Sequence, residues 1–224
     1  MCRKNISERG RRWPIQKQHE SVCTIVGADP KAGEFGIAVA SSALAVGKNV
    51  PFTGAFVGAM AVQGFTSPYF GITGMKLLRE GLKAQEVIDK ILAEDILRDA
   101  RQILVIDAAG KAAAFTGGAV EQHAGSRDGE NFVAGGCGLP GQEPIDAAAE
   151  AFASSQGDLA GRLVAALSAA DAKSPDGTFV SAVVRVSKDN SYPSVDLRVD
   201  KHSDPVKELA RLLQIWRTRS APSA

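Results

Sequence analysis

A glycine-rich stretch, Gly136-Cys137-Gly138-Leu139-Pro140-Gly141, is the first candidate for a ligand-binding motif in the sequence. It has the form G-x-G-x-x-G, which binds a dinucleotide pyrophosphate when it links a strand to a helix in a parallel βαβ unit. The neighbouring predicted hairpins do not supply that unit, and Pro140 stiffens a loop that would have to follow the phosphates. We therefore interpret the stretch as a glycine-rich loop at a sheet edge, and we predict no cofactor. Cys137 is either a small residue in a tight turn or a reactive thiol, and we count it as a candidate substrate-binding residue.

A second pattern is the alternation of charged and apolar residues over 195–200. Successive side chains of a strand point to opposite faces, so Asp196, Arg198 and Asp200 share one face. Charges on a covered sheet face must be paired. We expect either a structural ion network or a substrate-binding site to which Asp196 and Arg198 contribute.

The cysteines of the chain do not suggest a disulfide framework or a metal site. There are three, Cys2, Cys23 and Cys137. Their odd number and wide spacing are typical of a reducing compartment, so we expect a cytoplasmic protein. No Cys-x-x-Cys motif or Cys/His cluster is present, and we predict no metal ligands.

Charge is distributed unevenly along the chain. Residues 1–20 carry six basic and two acidic side chains, whereas the remaining residues carry 20 basic and 23 acidic ones. The main part of the chain therefore lacks the strongly basic character of a nucleic-acid binder. No run of about 18 apolar residues predicts a membrane span. We predict a basic leader over 1–20, a single domain over 21–216 and a tail over 217–224.

Hydrophobic periodicity predicts a mixture of strands and helices. The predicted strands cover residues 21–27, 35–41, 54–64, 101–107, 111–116, 131–135, 178–187 and 194–200. The predicted helices cover 72–81, 84–93, a segment starting near Pro144, a segment capped by Asp158, and 205–216. Short turns join most neighbouring strands, which favours antiparallel pairing. Helices grouped between hairpins indicate separate helical and sheet layers, so the predicted fold class is α+β.

Five segments of the chain resemble a known bacterial family. They are SVCTIVGADP, GEFGIAVASSALAVGKNVP, YFGITGMKLLREGLKAQEVI, VIDAAGKAAAFTG and VDLRVDKHSDPVKELARLL. Together they resemble the family catalogued as domain of unknown function 1028, over about residues 21–214. The resemblance implies an Ntn-hydrolase-like fold, a four-layer αββα sandwich of two antiparallel sheets between helices. It also implies hydrolysis of an amide or related carbon–nitrogen bond in a small molecule.

An Ntn-type mechanism would use a Cys, Ser or Thr at the start of the first strand as nucleophile, with its own α-amino group as base. Cys23 and Thr24 are alternative nucleophiles here, and they face opposite sides of the strand. The threonine that is frequent in the family falls on Val22, which is not a nucleophile; translation starting at Val22 would leave Cys23 first after methionine removal. Ser41, at the end of the neighbouring strand, is a third candidate catalytic residue, and Gln63 is a candidate for substrate binding.

Several polar positions depart from the family pattern. Cys137 and Ser67 each stand where the family has asparagine. An alternative function is therefore a non-catalytic protein that binds a small metabolite or assembles as an oligomer. We expect a homodimer formed through the last helix, whose apolar residues include Leu212, Leu213, Ile215 and Trp216.

Overall fold

The computed structural model describes residues 20–120 and 123–220, so the predicted leader, apart from Glu20, lies outside the described residues. The strands are β1 (Val22–Asp29), β2 (Glu34–Ser41), β3 (Pro51–Gly54), β4 (Gly58–Gly64), β5 (Arg101–Asp107), β6 (Ala112–Thr116), β7 (His123–Gly129), β8 (Phe132–Leu139), β9 (Ser181–Ser187) and β10 (Val195–Val199). The helices are α1 (Pro68–Arg79), α2 (Ala84–Ala93), α3 (Glu143–Ser154), α4 (Leu159–Asp171) and α5 (Pro205–Ser220).

The strands form two antiparallel sheets. One has six strands in the order β10-β9-β2-β1-β8-β7, and the other has four in the order β3-β4-β5-β6. Strand β1 lies inside the larger sheet, where Val22 is paired with Ser41 of β2 and with Cys137 of β8. The predicted mixture of helices with antiparallel sheets is confirmed.

The two sheets stack face to face, and helices cover their outer faces. Val26 and Val39 from the larger sheet pack against Ala61 and Leu104 from the smaller one. Helices α3, α4 and α5 pack on the other face of the larger sheet, and α1 and α2 pack on the smaller sheet. The result is four layers with three apolar cores between them.

Alternation along β1 determines which side chains face the other sheet. Val22 and Val26 belong to the core between the sheets, whereas Cys23 and Ile25 belong to the core beneath the helices. Thr24 shares a face with Val22 because side chains alternate with a period of two. Its hydroxyl is therefore between the sheets.

The strand predicted over 54–64 is confirmed for Gly58–Gly64 and wrong before it, because the structure has the turn of a hairpin of β3 and β4 there. Phe56 adopts a left-handed conformation with φ 59° in the turn. Gly58 has φ 139°, and a Cβ at that position would lie 2.4 Å from the Ile106 carbonyl oxygen. The turn depends on these two backbone conformations, which hydrophobic periodicity does not report.

The glycine-rich stretch forms part of a strand, which corrects the loop interpretation. Strand β8 runs through Gly136 and Gly138 to Leu139 and pairs antiparallel with β1 and β7. No parallel βαβ unit is present at this motif.

Strand β7 was predicted as loop because its sequence, HAGSRDG, contains no β-branched residue. It is held as an edge strand by its pairing with β8.

The helix ends test two further predictions. The predicted cap of α4 is confirmed, since the Asp158 carboxylate accepts a hydrogen bond of 2.7 Å from the Gly161 N–H. Helix α5 continues to Ser220, four residues beyond the predicted end of the domain. Leu213 of α5 is buried in the domain core, while Ile215 is exposed.

None of the helices in the described ranges is both long and apolar enough to cross a membrane.

Candidate active site at the start of strand β1

A continuous chain of buried polar side chains crosses the space between the sheets. The Thr24 hydroxyl donates a 2.6 Å hydrogen bond to Gln63 Oε1, and Gln63 Nε2 donates one of 2.6 Å to Gln102 Oε1. Gln102 Nε2 then donates to Thr116 Oγ1 at 2.9 Å and to the Gly125 carbonyl at 3.0 Å. Thr24, Gln63 and Gln102 are fully buried. The side chains of Thr24, Gln63 and Gln102 therefore each donate to an acceptor, as buried polar groups require.

Strand register explains why these residues meet. Gln63 of β4 is directly opposite Gln102 of β5, and Gln102 is opposite Thr116 of β6. Directly opposed side chains lie on the same face at a short distance. That face is turned toward Thr24 of the other sheet. Gln63 was predicted as a site residue from the sequence, whereas Gln102 and Thr116 were not.

Val22 occupies the first position of β1 on the same face as Thr24. Its direct neighbours are Ser41 and Cys137, so an apolar side chain separates a hydroxyl from a thiol. The Ser41 hydroxyl is engaged in the turn after β2, where it accepts a 3.0 Å hydrogen bond from the Ala43 N–H. Burial raises the pKa of Cys137 to about 12, although a hydrogen bond from the Gly64 backbone opposes the shift.

Cys23 is placed on the opposite face from Thr24. Its side chain is fully buried in the core beneath the helices, together with residues such as Leu167 and Ala148. Burial raises the pKa of Cys23 to about 12. A thiol with this pKa is protonated at neutral pH and is a weak nucleophile.

The residues immediately before β1 are fixed by hydrogen bonds. The Ser21 N–H donates to Ser42 Oγ at 2.9 Å, and the Ser21 hydroxyl donates to the Gly138 carbonyl at 2.7 Å. Gly138 has φ 65°, and a Cβ there would lie 2.5 Å from the Glu20 carbonyl oxygen. Only a glycine fits this close approach without displacing the backbone. Glu20 is partly buried, which raises the pKa of its carboxyl group.

A buried ion pair lies beside the polar chain, at the start of β5. Arg101 precedes Gln102 and binds the Asp95 carboxylate with two nitrogen atoms, one of them at 3.1 Å. It also donates to the Phe65 carbonyl, and its guanidinium lies 4.6 Å from the ring centroid of Phe70. Burial alone would raise the pKa of Asp95, but hydrogen bonds from Arg101 and the Leu97 backbone hold it below its ordinary value.

Asp196 and Arg198 are not brought together with Thr24. They lie on β10, the edge strand three positions from β1 in the larger sheet. Asp196 pairs with Arg185 at 3.0 Å, and Arg198 pairs with Asp200 at 2.8 Å. These contacts are surface ion pairs at the sheet edge.

No metal centre is formed by the described residues, among which no group of three His, Cys, Asp or Glu side chains is close enough to hold an ion. His123, to which the sequence assigned no role, lies at the start of β7. Its Nε2 is 3.0 Å from Gln142 Oε1 at the beginning of α3. Because an amide oxygen only accepts, the imidazole donates this hydrogen bond in the tautomer that carries its proton on Nε2.

Comparison with known proteins places the chain in a family. A model of the "Family of unknown function (DUF1028)" matches residues 23–209, so the chain belongs to that family. The crystal structure of a family member from Silicibacter pomeroyi is 31% identical and superposes with a TM-score of 0.81, covering 87% of this chain and 85% of that one. Anbu (ancestral beta-subunit) from Yersinia bercovieri is 10% identical with a TM-score of 0.38, covering 91% and 99% of the two chains. No curated protein matches the chain.

Proposed function

We propose that this protein hydrolyses an amide or related carbon–nitrogen bond in a small molecule, using Thr24 as an N-terminal nucleophile on an Ntn-hydrolase-like αββα sandwich. The observation that carries the proposal is the hydrogen bond of the Thr24 hydroxyl to Gln63, at the head of the buried polar chain between the sheets. The four-layer arrangement supports the proposed fold. The nucleophile of such an enzyme lies on the first strand between the two sheets, and Thr24 occupies such a position on β1.

Thr24 is better placed than the other two candidates to act as the nucleophile. The Cys23 thiol is buried toward the helices, on the face of β1 away from the other sheet. The Ser41 hydroxyl accepts a hydrogen bond in the turn that follows β2, and Ser41 is the last residue of that strand. Thr24 alone among the three combines a hydroxyl between the sheets with a place near the start of β1.

The mechanism requires Thr24 to become the first residue. Its hydroxyl oxygen would attack the Cys23 carbonyl carbon, the peptide C–N bond would break, and the Thr24 nitrogen would take up the hydroxyl proton. Water would then hydrolyse the ester, releasing Cys23 with a carboxylate and leaving Thr24 with a free amine. An α-amino group has an unperturbed pKa of about 8, so it can serve as a general base.

Loss of the residues before Thr24 would also open the substrate site. The position of Val22 would become free, with the Ser41 hydroxyl on one side and the Cys137 thiol on the other. Gln63 would remain behind the Thr24 hydroxyl and hold it in place. The substrate carbonyl would be attacked by the hydroxyl while the amine accepts its proton, and the acyl-enzyme ester would then be hydrolysed by water.

A panel of small chromogenic amides tests this function with four proteins: the unmodified chain, Thr24→Ala, Thr24→Ser and Cys23→Ala. We expect turnover by the unmodified chain, at least partial turnover by Thr24→Ser and Cys23→Ala, and none by Thr24→Ala. Turnover by Thr24→Ala equal to that of the unmodified chain would contradict the assignment of the nucleophile.

A second candidate function is binding of a small metabolite without catalysis. It is favoured by Val22, which fills the position between Ser41 and Cys137, and by the complete internal hydrogen bonding of the polar chain. This function predicts an uncut chain that turns over no amide.

For either function we propose a cytoplasmic homodimer with a small-molecule ligand. Size-exclusion chromatography with light scattering tests the dimer.

A further inference from the structure

A groove lies at the edge of the sandwich, away from Thr24. Its volume is about 460 Å³, and it is bordered by α1, β3 and the β9–β10 pair. Thr53 on its wall contacts Ser187, the last residue of β9, through a 2.7 Å hydrogen bond between their hydroxyls. Ser181, the first residue of β9, is the one that pairs with Ser41 near the candidate active site. The groove is therefore near the opposite end of these strands, and its size is within the range of small-ligand pockets.

One side of the groove is apolar. Phe52, Ile72 and Met75 line it, and 60% of the Ile72 side chain is exposed to solvent. An exposed isoleucine beside a buried methionine provides a surface on which a hydrocarbon chain or ring could be desolvated. Burial of apolar area is the main favourable contribution to binding at such a surface.

The charged residues of the groove are Arg79, Arg185 and Asp196, which together carry one net positive charge. Arg185 is committed to the protein, since it pairs with Asp196 at 3.0 Å and donates to the Pro51 carbonyl at 2.8 Å. The Asp196 carboxylate is in turn neutralised by Arg185. These two residues therefore form a fixed polar wall.

Arg79 is the charged group that remains available to a ligand. Within residues 20–120 and 123–220 its guanidinium forms no ion pair, and its one hydrogen bond is a 3.5 Å contact with the Met75 carbonyl. Because residues 21–224 carry more acidic than basic side chains, a groove of net positive charge is a distinctive place for an anion. A single guanidinium presents two parallel N–H donors that match the oxygens of one carboxylate.

We propose that this groove binds a small organic acid, with its carboxylate on Arg79 and its hydrocarbon part against Phe52, Ile72 and Met75. A carboxylate fits better than a phosphate dianion because only one cationic side chain is unpaired among the described groove residues. The site is independent of the proposed hydrolase function, since it shares no residue with the polar chain.

The test measures binding of 4-methylpentanoate to the full chain by NMR titration, with the neutral 4-methylpentanamide as a second probe. Arg79→Gln removes the charge while preserving most of the side-chain length. Lys76→Gln is the matched control, because Lys76 is on the same helix, is paired with Glu80 and does not line the groove. Ile72→Glu keeps Arg79 but places a negative charge on the apolar wall.

We expect the acid to bind the unmodified chain and Lys76→Gln equally and in a saturable manner. Arg79→Gln should weaken its binding about tenfold or more, which is the size expected for loss of a charged hydrogen bond. Ile72→Glu should also weaken it, because the introduced carboxylate repels that of the acid. The amide should bind the unmodified chain more weakly than the acid. Equal binding of the acid to Arg79→Gln, or the absence of saturable binding to the unmodified chain in the millimolar range, would overturn the proposal.

Discussion

Gln63 and Gln102 lie directly opposite each other on strands β4 and β5, and the side-chain nitrogen of Gln63 donates a 2.6 Å hydrogen bond to the side-chain oxygen of Gln102. Both side chains are fully buried between the two sheets. Gln63 Nε2 and Gln102 Oε1 are therefore each satisfied by the other amide, and the pair connects Thr24 on one sheet to Thr116 on the other.

This pairing predicts a non-additive effect of mutation on stability. Gln63→Leu and Gln102→Leu should each lower the free energy of unfolding by about 1–3 kcal/mol, because each leaves one buried polar atom of the partner amide, Gln102 Oε1 or Gln63 Nε2, without its hydrogen bond. The double variant removes both amides, so its loss should be smaller than the sum of the single losses by at least ~0.5 kcal/mol. Urea denaturation of the four proteins measures this difference. Additive losses would show that the two amides do not depend on each other.

The strands were predicted from the sequence where apolar and β-branched residues alternate, as in β1, β2 and β5. The turn at Phe56 and the strand β7 were not, because a positive φ and an edge pairing with β8 leave no such alternation. The same limit applies to the site. Thr24 was selected because it is a hydroxyl residue at the start of the first strand, and Gln63 because it could orient a polar ligand, whereas Gln102 needed the pairing of β4 with β5, which brings together residues 39 positions apart.

The ion pair of Asp95 and Arg101 predicts a dependence of stability on pH. The folded-state pKa of Asp95 lies below its ordinary value of 3.8. Its contribution to stability is therefore fully present above that ordinary value and is lost as the pH falls through the lowered folded-state pKa. Asp95→Asn should consequently show a smaller loss of stability in this acidic range than the unmodified chain.

Chemical denaturation at several acidic pH values measures the difference between the two proteins. Asp99→Asn is the matched control, since Asp99 is an exposed carboxyl group four residues later in the chain. The control should follow the unmodified chain. Identical pH profiles for Asp95→Asn and the unmodified chain would show that the ion pair does not carry this contribution.

Removal of the Arg101 side chain should be more costly than removal of a surface arginine. Arg101→Met leaves the Asp95 carboxylate buried without its partner, and this should lower the free energy of unfolding by about 3–5 kcal/mol. Arg211→Met is the comparison, because Arg211 is in an exposed pair with Glu208. That pair should contribute at most ~1 kcal/mol. Equal losses in the two variants, measured by urea denaturation, would contradict the structural role given to Arg101.

The buried thiols predict slow modification of the uncut chain. The pKa values of Cys23 and Cys137 are raised to about 12 by burial, so almost no thiolate is present at pH 8. In a Cys2→Ser, Thr24→Ala background, a disulfide reagent should label neither thiol in the native protein and both after addition of denaturant. Stoichiometric labelling of the native protein within minutes would contradict the burial of these side chains.

The most direct test of the central claim is the mass of the purified full chain, measured on intact protein together with the sequence of its first residues. We expect a species that begins at Thr24 in the unmodified chain, and its absence in Thr24→Ala. The claim would be contradicted if every molecule of the unmodified chain retained Cys23 and carried the same first residue as Thr24→Ala.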